Sequence, residues 1–249
     1  MLALSGNLIC ASFFTGVYDV NRNQLHASDD FQVIEKWVRS VRKLGLQGIV
    51  FHNNFSEKTL SGHEDGQIQF FKVAFDTLLN ANVYRYLVYF DFLKKYGHQV
   101  QHIFFTDIAD VEVVKDPFTD PFFLKNSFRL FCGDEEEILS NPWMKDHCTH
   151  LRNQIPEFYH YEKENKSETL LNCGVIGGRK NVVLELLTHL VEIHTTHTSS
   201  NKTPFTLDMG AFNYVARTKF GIRLIHGFPV NTRFKGYESK RVDCWFRHK

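Results

Sequence analysis

The chain has 249 residues, 43% of them hydrophobic and 23% charged, with a formal net charge of +1. That balance excludes a disordered chain and leaves room for one large domain or two small ones. Apolar runs never reach a membrane span, 24 phenylalanines imply an aromatic core, and five cysteines without a CxxC pair imply free thiols in a reducing compartment.

Taken in order, the pattern alternates strands and helices. Residues 7–14 read as a buried first strand rather than a signal peptide, since no basic segment precedes them. Thr15-Gly16 and a polar loop through Asn23 follow. Ser28-Asp29-Asp30 offers N-caps to a helix in which Ile34, Trp37, Val38 and Val41 keep helical spacing, with Gly45 as its stop. Residues 48–51 form a second strand that ends in His52-Asn53-Asn54. A polar turn at 61–66 precedes another strand at 68–73. Val83, Leu87, Phe90 and Leu93 line the next helix, which stops near Gly97.

The central stretch is HIFFTDIADVEVVKDPF, residues 102–118. Ile103-Phe104-Phe105 has the character of a strand buried on both faces. Asp107 and Asp110 then fall at its carboxyl end, where open α/β sheets bind ligands. Two close carboxylates repel each other, and a hard cation, Mn²⁺ or Mg²⁺, relieves the repulsion. An acidic turn between strands accounts for them equally. Residues 111–114 read as β-type and end at Pro117.

From 117 to about 167 the pattern dissolves into a loop-rich segment with short helices. Residues 170–176 restore a strand, broken by Gly177-Gly178, and Asn181 caps an apolar helix to about 193. Residues 208–216 read as a shorter helix and 222–225 as a last strand. From His226 on, six Lys/Arg face two acids, a net of +4. Such a tail suits a solvated surface, a nucleic-acid patch or a diphosphate clamp. His147-Cys148-Thr149-His150 and His194-x-x-His197 have metal-like spacing without a complete ligand set.

The βαβ order implies an α/β fold with a mostly parallel sheet covered by helices. Five stretches, in order, then resemble the GT-A nucleotide-sugar glycosyltransferases, above all the glycogenin and lipopolysaccharide galactosyltransferase group and related viral and plant enzymes. They are Tyr84-Arg85-Tyr86, FFTDIADVEV, Leu171-Asn172-Cys173-Gly174-Val175, Asp208-Met209-Gly210-Ala211-Phe212-Asn213, and His226-Gly227 with Lys235. The resemblance implies one GT-A domain over 1–249: a twisted sheet with helices on both faces, a Rossmann-like nucleotide-sugar half to about 116, and an acceptor half from 117 on.

It also implies a metal held by Asp107, Asp110 and His226, Lys235 on the diphosphate, and Arg85, Asn172 and Gly174 beside the donor sugar. Phe14, Thr15, Gly16 and Tyr18 would receive base and ribose. Gly16 permits close backbone approach, and an aromatic ring can stack on uracil. Asn53 either donates to the nucleotide or holds a loop. Asp208, placed on the acceptor side, would act as general base, or serve only as a first-turn acid. In-line displacement with Asp208 as base inverts the anomeric carbon, whereas the group most resembled retains it.

This chain departs from the family pattern: the acids are spaced D-x-x-D, and Met209 stands where the family has Gln. Glu112 is a less favoured third acid. The implied activity is metal-dependent transfer from a nucleotide diphosphate sugar, UDP foremost, to a glycan or glycoprotein hydroxyl. A nucleotidyltransferase and a non-catalytic nucleotide-sugar module are the alternatives. No nucleic-acid partner is implied. The expected location is cytoplasmic, in a bacterium or a virus-infected host, with a trimmed lumenal Golgi domain as the other option.

Overall fold

A computed structural model of the chain describes residues 4, 6–16, 18–19, 24–75, 80–198, 208–236, 238 and 240–249. In chain order its first elements are β1 (Asn7–Phe13), a small ribbon of β2 (Tyr18–Asp19) and β3 (Gln24–Leu25), α1 (Gln32–Lys43), β4 (Gly48–His52) and α2 (Glu57–His63). Next come β5 (Ile68–Lys72), α3 (Ala81–Tyr96), β6 (His102–Thr106), β7 (Val111–Val113), α4 (Pro121–Asn126) and β8 (Leu130–Ile138). The remainder comprises α5 (Pro142–His147), α6 (Thr149–Gln154), α7 (Pro156–Asn165), β9 (Thr169–Arg179), α8 (Lys180–Ile193), α9 (Asp208–Val215), β10 (Leu224–His226) and β11 (Phe246–His248).

Seven strands form one sheet in the order β10-β8-β9-β6-β1-β4-β5, and only β9 runs against the others. Strand alternation divides the apolar residues between two cores. Leu8, Cys10, Ile103 and Phe105 face α3, α8 and α9, while Ile9, Ala11, Phe13 and Phe104 face α1, α4 and a β7–β11 ribbon. This is the mostly parallel α/β sheet with helices on both faces that the sequence implies.

Several expectations need correction. Residues 61–66 are not simply a turn, because α2 occupies Glu57–His63, capped by Ser56 Oγ on the Thr59 N–H at 3.2 Å. The Asp29 carboxylate does not cap α1 but takes the Ser56 N–H and Oγ–H at 2.8 and 2.6 Å. The segment 117–167 contains a full strand, β8, paired with β9 and β10. Its run Asp134-Glu135-Glu136-Glu137 imitates a solvated loop, yet the first two acids are buried. Gly177-Gly178 does not end β9: a Cβ on Gly177 would overlap the Phe104 ring, so glycine lets the strand continue there.

The basic tail is only partly a solvated surface. Trp245 and Phe246 are fully buried, and β11 pairs antiparallel with β7 in the register Val113↔Phe246, Glu112↔Arg247, Val111↔His248. The cross-strand ion pair between Arg247 and Glu112, at 3.0 Å, fixes that register. Glu112 also meets Lys36 at 3.2 Å, so it points away from Asp107 and Asp110. All five cysteines are free and buried. No helix among the described residues is long and apolar enough to cross a membrane.

Candidate metal and donor site

A cavity of about 710 Å³ opens at the carboxyl ends of β1 and β6. Phe14, Arg85, Asp107, Asp110, Asn172, Asp208 and Lys235 all line it, so most of the expected site residues converge there. Asp107 directly follows β6, and its backbone N–H donates to the Gly174 carbonyl of β9 at 2.8 Å. The turn 108–110 then brings Asp110 alongside it.

His248 lies within reach of both acids. Its Nε2 is 4.0 Å from Asp107 Oδ2 and 3.8 Å from Asp110 Oδ1, and one donor atom from each residue falls within 4.8 Å of the others. Thr232 brackets the histidine backbone: Oγ1 accepts its N–H at 2.8 Å and donates to its carbonyl at 3.0 Å. The Lys249 N–H donates to the Asp110 carbonyl at 3.2 Å, and the Phe234 ring packs 4.4 Å from the imidazole.

Gly174 is the floor beneath this group. A Cβ there would run into His248 Cε1, and would lie 2.7 Å from Asp107 Oδ2 and 2.8 Å from Asn172 Oδ1. Two carboxylates and an imidazole fit a divalent ion. Bonds of about 2.1 Å place neighbouring donors roughly 3 Å apart, so the three groups, whose donor atoms lie within 4.8 Å of one another, would draw closer around an ion.

The histidine in this group is not the one expected. His226 ends β10, three strands from β6, or about 14 Å at 4.7–4.9 Å per step. Its Nδ1 instead meets buried Asp134 Oδ2 at 3.1 Å.

Beside the acidic group stands a buried charge chain. Arg85 on α3 bonds Asp107 Oδ1 through Nη1, while its Nη2 lies 3.3 Å from Asp208 Oδ2 and 3.1 Å from Cys173 Sγ. Burial disfavours the guanidinium charge, but the carboxylates, Asp107 foremost, hold it firmly protonated. Arg85 thus pairs with Asp107, and the pairing extends to Asp208. His147 Nε2 faces the other oxygen, Asp208 Oδ1, at 3.8 Å, and burial pushes this histidine's pKa down, favouring its neutral form.

Asp208 opens α9, which Asn213 pins to β9 by accepting the Leu171 N–H at 3.0 Å and donating to the Leu171 carbonyl at 2.9 Å. Residues 199–207, which precede this helix, lie outside the described residues.

Asn172 is engaged at both ends of its amide. Oδ1 accepts the Gly174 N–H at 2.6 Å, and Nδ2 donates to Glu135 Oε1 at 2.8 Å. Burial raises the Glu135 pKa, and the Asn172 bond opposes that rise.

The β1 loop is held as much as it is open. Asn53 uses its amide on the backbone of Thr15, accepting its N–H at 3.0 Å and donating to its carbonyl at 2.9 Å. It holds a loop and does not line the cavity. Gly16 adopts φ +75, a conformation that favours glycine. The Phe14 ring stacks on Phe75 at 4.8 Å, and only the backbone of Tyr18 is described. Lys235 carries its ammonium 5.1 Å from the centre of the Phe234 ring.

Sequence reasoning missed His248, Glu135 and Trp143 in this neighbourhood, and singled out His147 only for its metal-like spacing. The apolar pair Trp245-Phe246 marks the tail as packed, but nothing local singles out His248. No family model matches the chain, and no curated protein matches it. Among solved structures, the chain is similar to a glycosyltransferase involved in the glycosylation of the major capsid of PBCV-1. The identity is 12% and the TM-score 0.48, over 97% of this chain and 91% of that one. Likeness at that level leaves the reading of the site to its own geometry.

Proposed function

We propose that this chain is a metal-dependent glycosyltransferase that takes a nucleotide diphosphate sugar, UDP-linked, and transfers the sugar to a hydroxyl of a glycan or glycoprotein. The observation that carries the reading is one cavity holding both an Asp-Asp-His group and a buried Arg–Asp pair. Asp107, Asp110 and His248 would hold Mn²⁺ or Mg²⁺, and the mixed oxygen and nitrogen set suits Mn²⁺ better. Bound there, the ion supplies Lewis-acid charge for the diphosphate leaving group.

The chain's own residues would do the rest. Lys235 adds a cation for the same oxygens. Phe14, Thr15 and Gly16 border the base and ribose, and Gly174 keeps the floor low enough for the donor to settle. Arg85 bridges Asp107 and Asp208 and fixes their separation. Asp208 takes the proton of the attacking hydroxyl through Oδ1, the oxygen Arg85 does not hold. Direct attack with that base inverts the anomeric carbon.

A thermal-shift screen of nucleotide sugars, with and without Mn²⁺, tests the reading. Ligand at 100 times its Kd adds about 2.7 kcal/mol, which for a chain of this size raises Tm by roughly 5–10 °C. The shift should need both UDP-sugar and metal. No shift with any nucleotide sugar, or the same shift in chelator, would contradict it. A module without turnover would show the shift but leave the donor unhydrolysed.

A further inference from the structure

The wall formed by α5 has a composition that the donor does not explain. Trp143 lines the cavity and keeps 51% of its surface open, although Trp37 and Trp245 are fully buried. The indole stacks on His147, with ring centroids 4.5 Å apart and an interplanar angle of 25°. His147 in turn faces Asp208 Oδ1. Glu135 and Glu137 of β8 line the same cavity, the first buried and the second exposed.

We infer that Trp143, backed by His147 and flanked by Glu135 and Glu137, is the platform for a pyranose ring of the acceptor, so that the acceptor is a saccharide. The inference rests on the glycosyl-transfer reading above. An open aromatic face beside carboxylates matches a sugar ring, whose C–H face is apolar and whose hydroxyls seek acceptors. A nucleobase is the other flat ligand, but its place is at the β1 loop. β8 lies three strands from β1, about 14 Å across the sheet, with β9 and β6, the strand that Asp107 follows, between them. An unstructured peptide acceptor would use backbone bonding, and no unpaired strand edge is needed in this arrangement. The chain Trp143–His147–Asp208 also connects the platform to the carboxylate assigned as base.

Saturation-transfer NMR on the intact chain tests this with methyl glucoside, methyl galactoside and methyl xyloside as probes. At least one should bind, with a millimolar Kd, and the chain's one exposed tryptophan should change its emission on titration. Trp143→Ala should weaken that binding about tenfold or more, and Trp143→Tyr should keep it within about threefold, because the ring rather than the indole N–H is required. UDP with Mn²⁺ should not displace the glycoside. Near-UV circular dichroism checks that the variants keep their fold, which an exposed side chain should not disturb. Failure of all three glycosides to bind, equal binding by Trp143→Ala, or displacement by UDP would overturn the proposal. Glycoside binding without any response to UDP and Mn²⁺ would keep the saccharide site and sink the nucleotide-sugar reading instead.

Discussion

Arg85→Met removes the cation that joins Asp107 to Asp208 while preserving most of the side-chain volume. The arginine side chain is 9% exposed, that of Asp208 is 7%, and that of Asp107 is 31%. Breaking a buried pair by removing one partner costs about 3–5 kcal/mol, because the remaining charge is left uncompensated. Asp208 bears that cost almost alone, since Asp107 reaches solvent and keeps its neighbours. A chain of this size loses about 2–4 °C of Tm per kcal/mol, so melting should fall by roughly 6–20 °C. Adding Asp208→Leu should restore part of the loss, since an apolar pair of similar volume often replaces a buried ion pair at no cost. Thermal unfolding followed by circular dichroism measures both effects. A Tm within 2 °C of the parent, about the effect of 1 kcal/mol or less, would refute the buried charge chain.

Three further outcomes follow from particular residues. Gly174→Ala places a methyl group against Asp107 and His248, so Mn²⁺ affinity by calorimetry should drop at least about tenfold while Tm falls by a few degrees, the usual cost of overpacking. Unchanged affinity would remove Gly174 from the floor of the site. His52 and His194 have pKa values pushed down to about 4 by burial, so the unfolded chain binds more protons between pH 4 and 6.5. Stability from urea titrations should therefore decline as pH falls through that window and level off below it. His52→Gln should shallow the slope, and a slope identical to the parent's would refute its share. Asp208→Asn should cut kcat by about 10²–10⁴-fold with donor affinity nearly unchanged, and NMR of the product anomer should report inversion. Near-normal turnover would leave Asp208 as a structural acid alone.

Much of the sheet was legible because its first half is built from local signals. β1, β4, β5 and β6 are short apolar runs bounded by polar turns, and helical spacing around Trp37 marks α1 well. Asp107 and Asp110 could be placed because a strand end fixes where its next residues emerge. Arg85 and Asn172 were singled out through resemblance, and both line the cavity. Long-range pairing was not legible. β8 is a strand because β9 and β10 flank it, which outweighs the loop-like acid run at its end. β11 depends on β7, whose Glu112 lies 135 residues from Arg247, and on the parallel segment around Asn231 that it bridges on its other side. His248 therefore carried no local signal, and the histidine chosen in its place, His226, belongs to an edge strand and to Asp134. Asn53 showed the converse: a residue at a ligand-binding strand end that spends its amide on its own loop.

Calorimetric titration of UDP into the intact chain is the most direct test of metal-dependent nucleotide binding at Asp107, Asp110 and His248. With Mn²⁺ present, UDP should bind, chelation should abolish that binding, and His248→Ala should weaken it at least tenfold. His226→Ala should leave it nearly unchanged. Binding that survives chelation, or that depends on His226 rather than His248, would contradict the assignment.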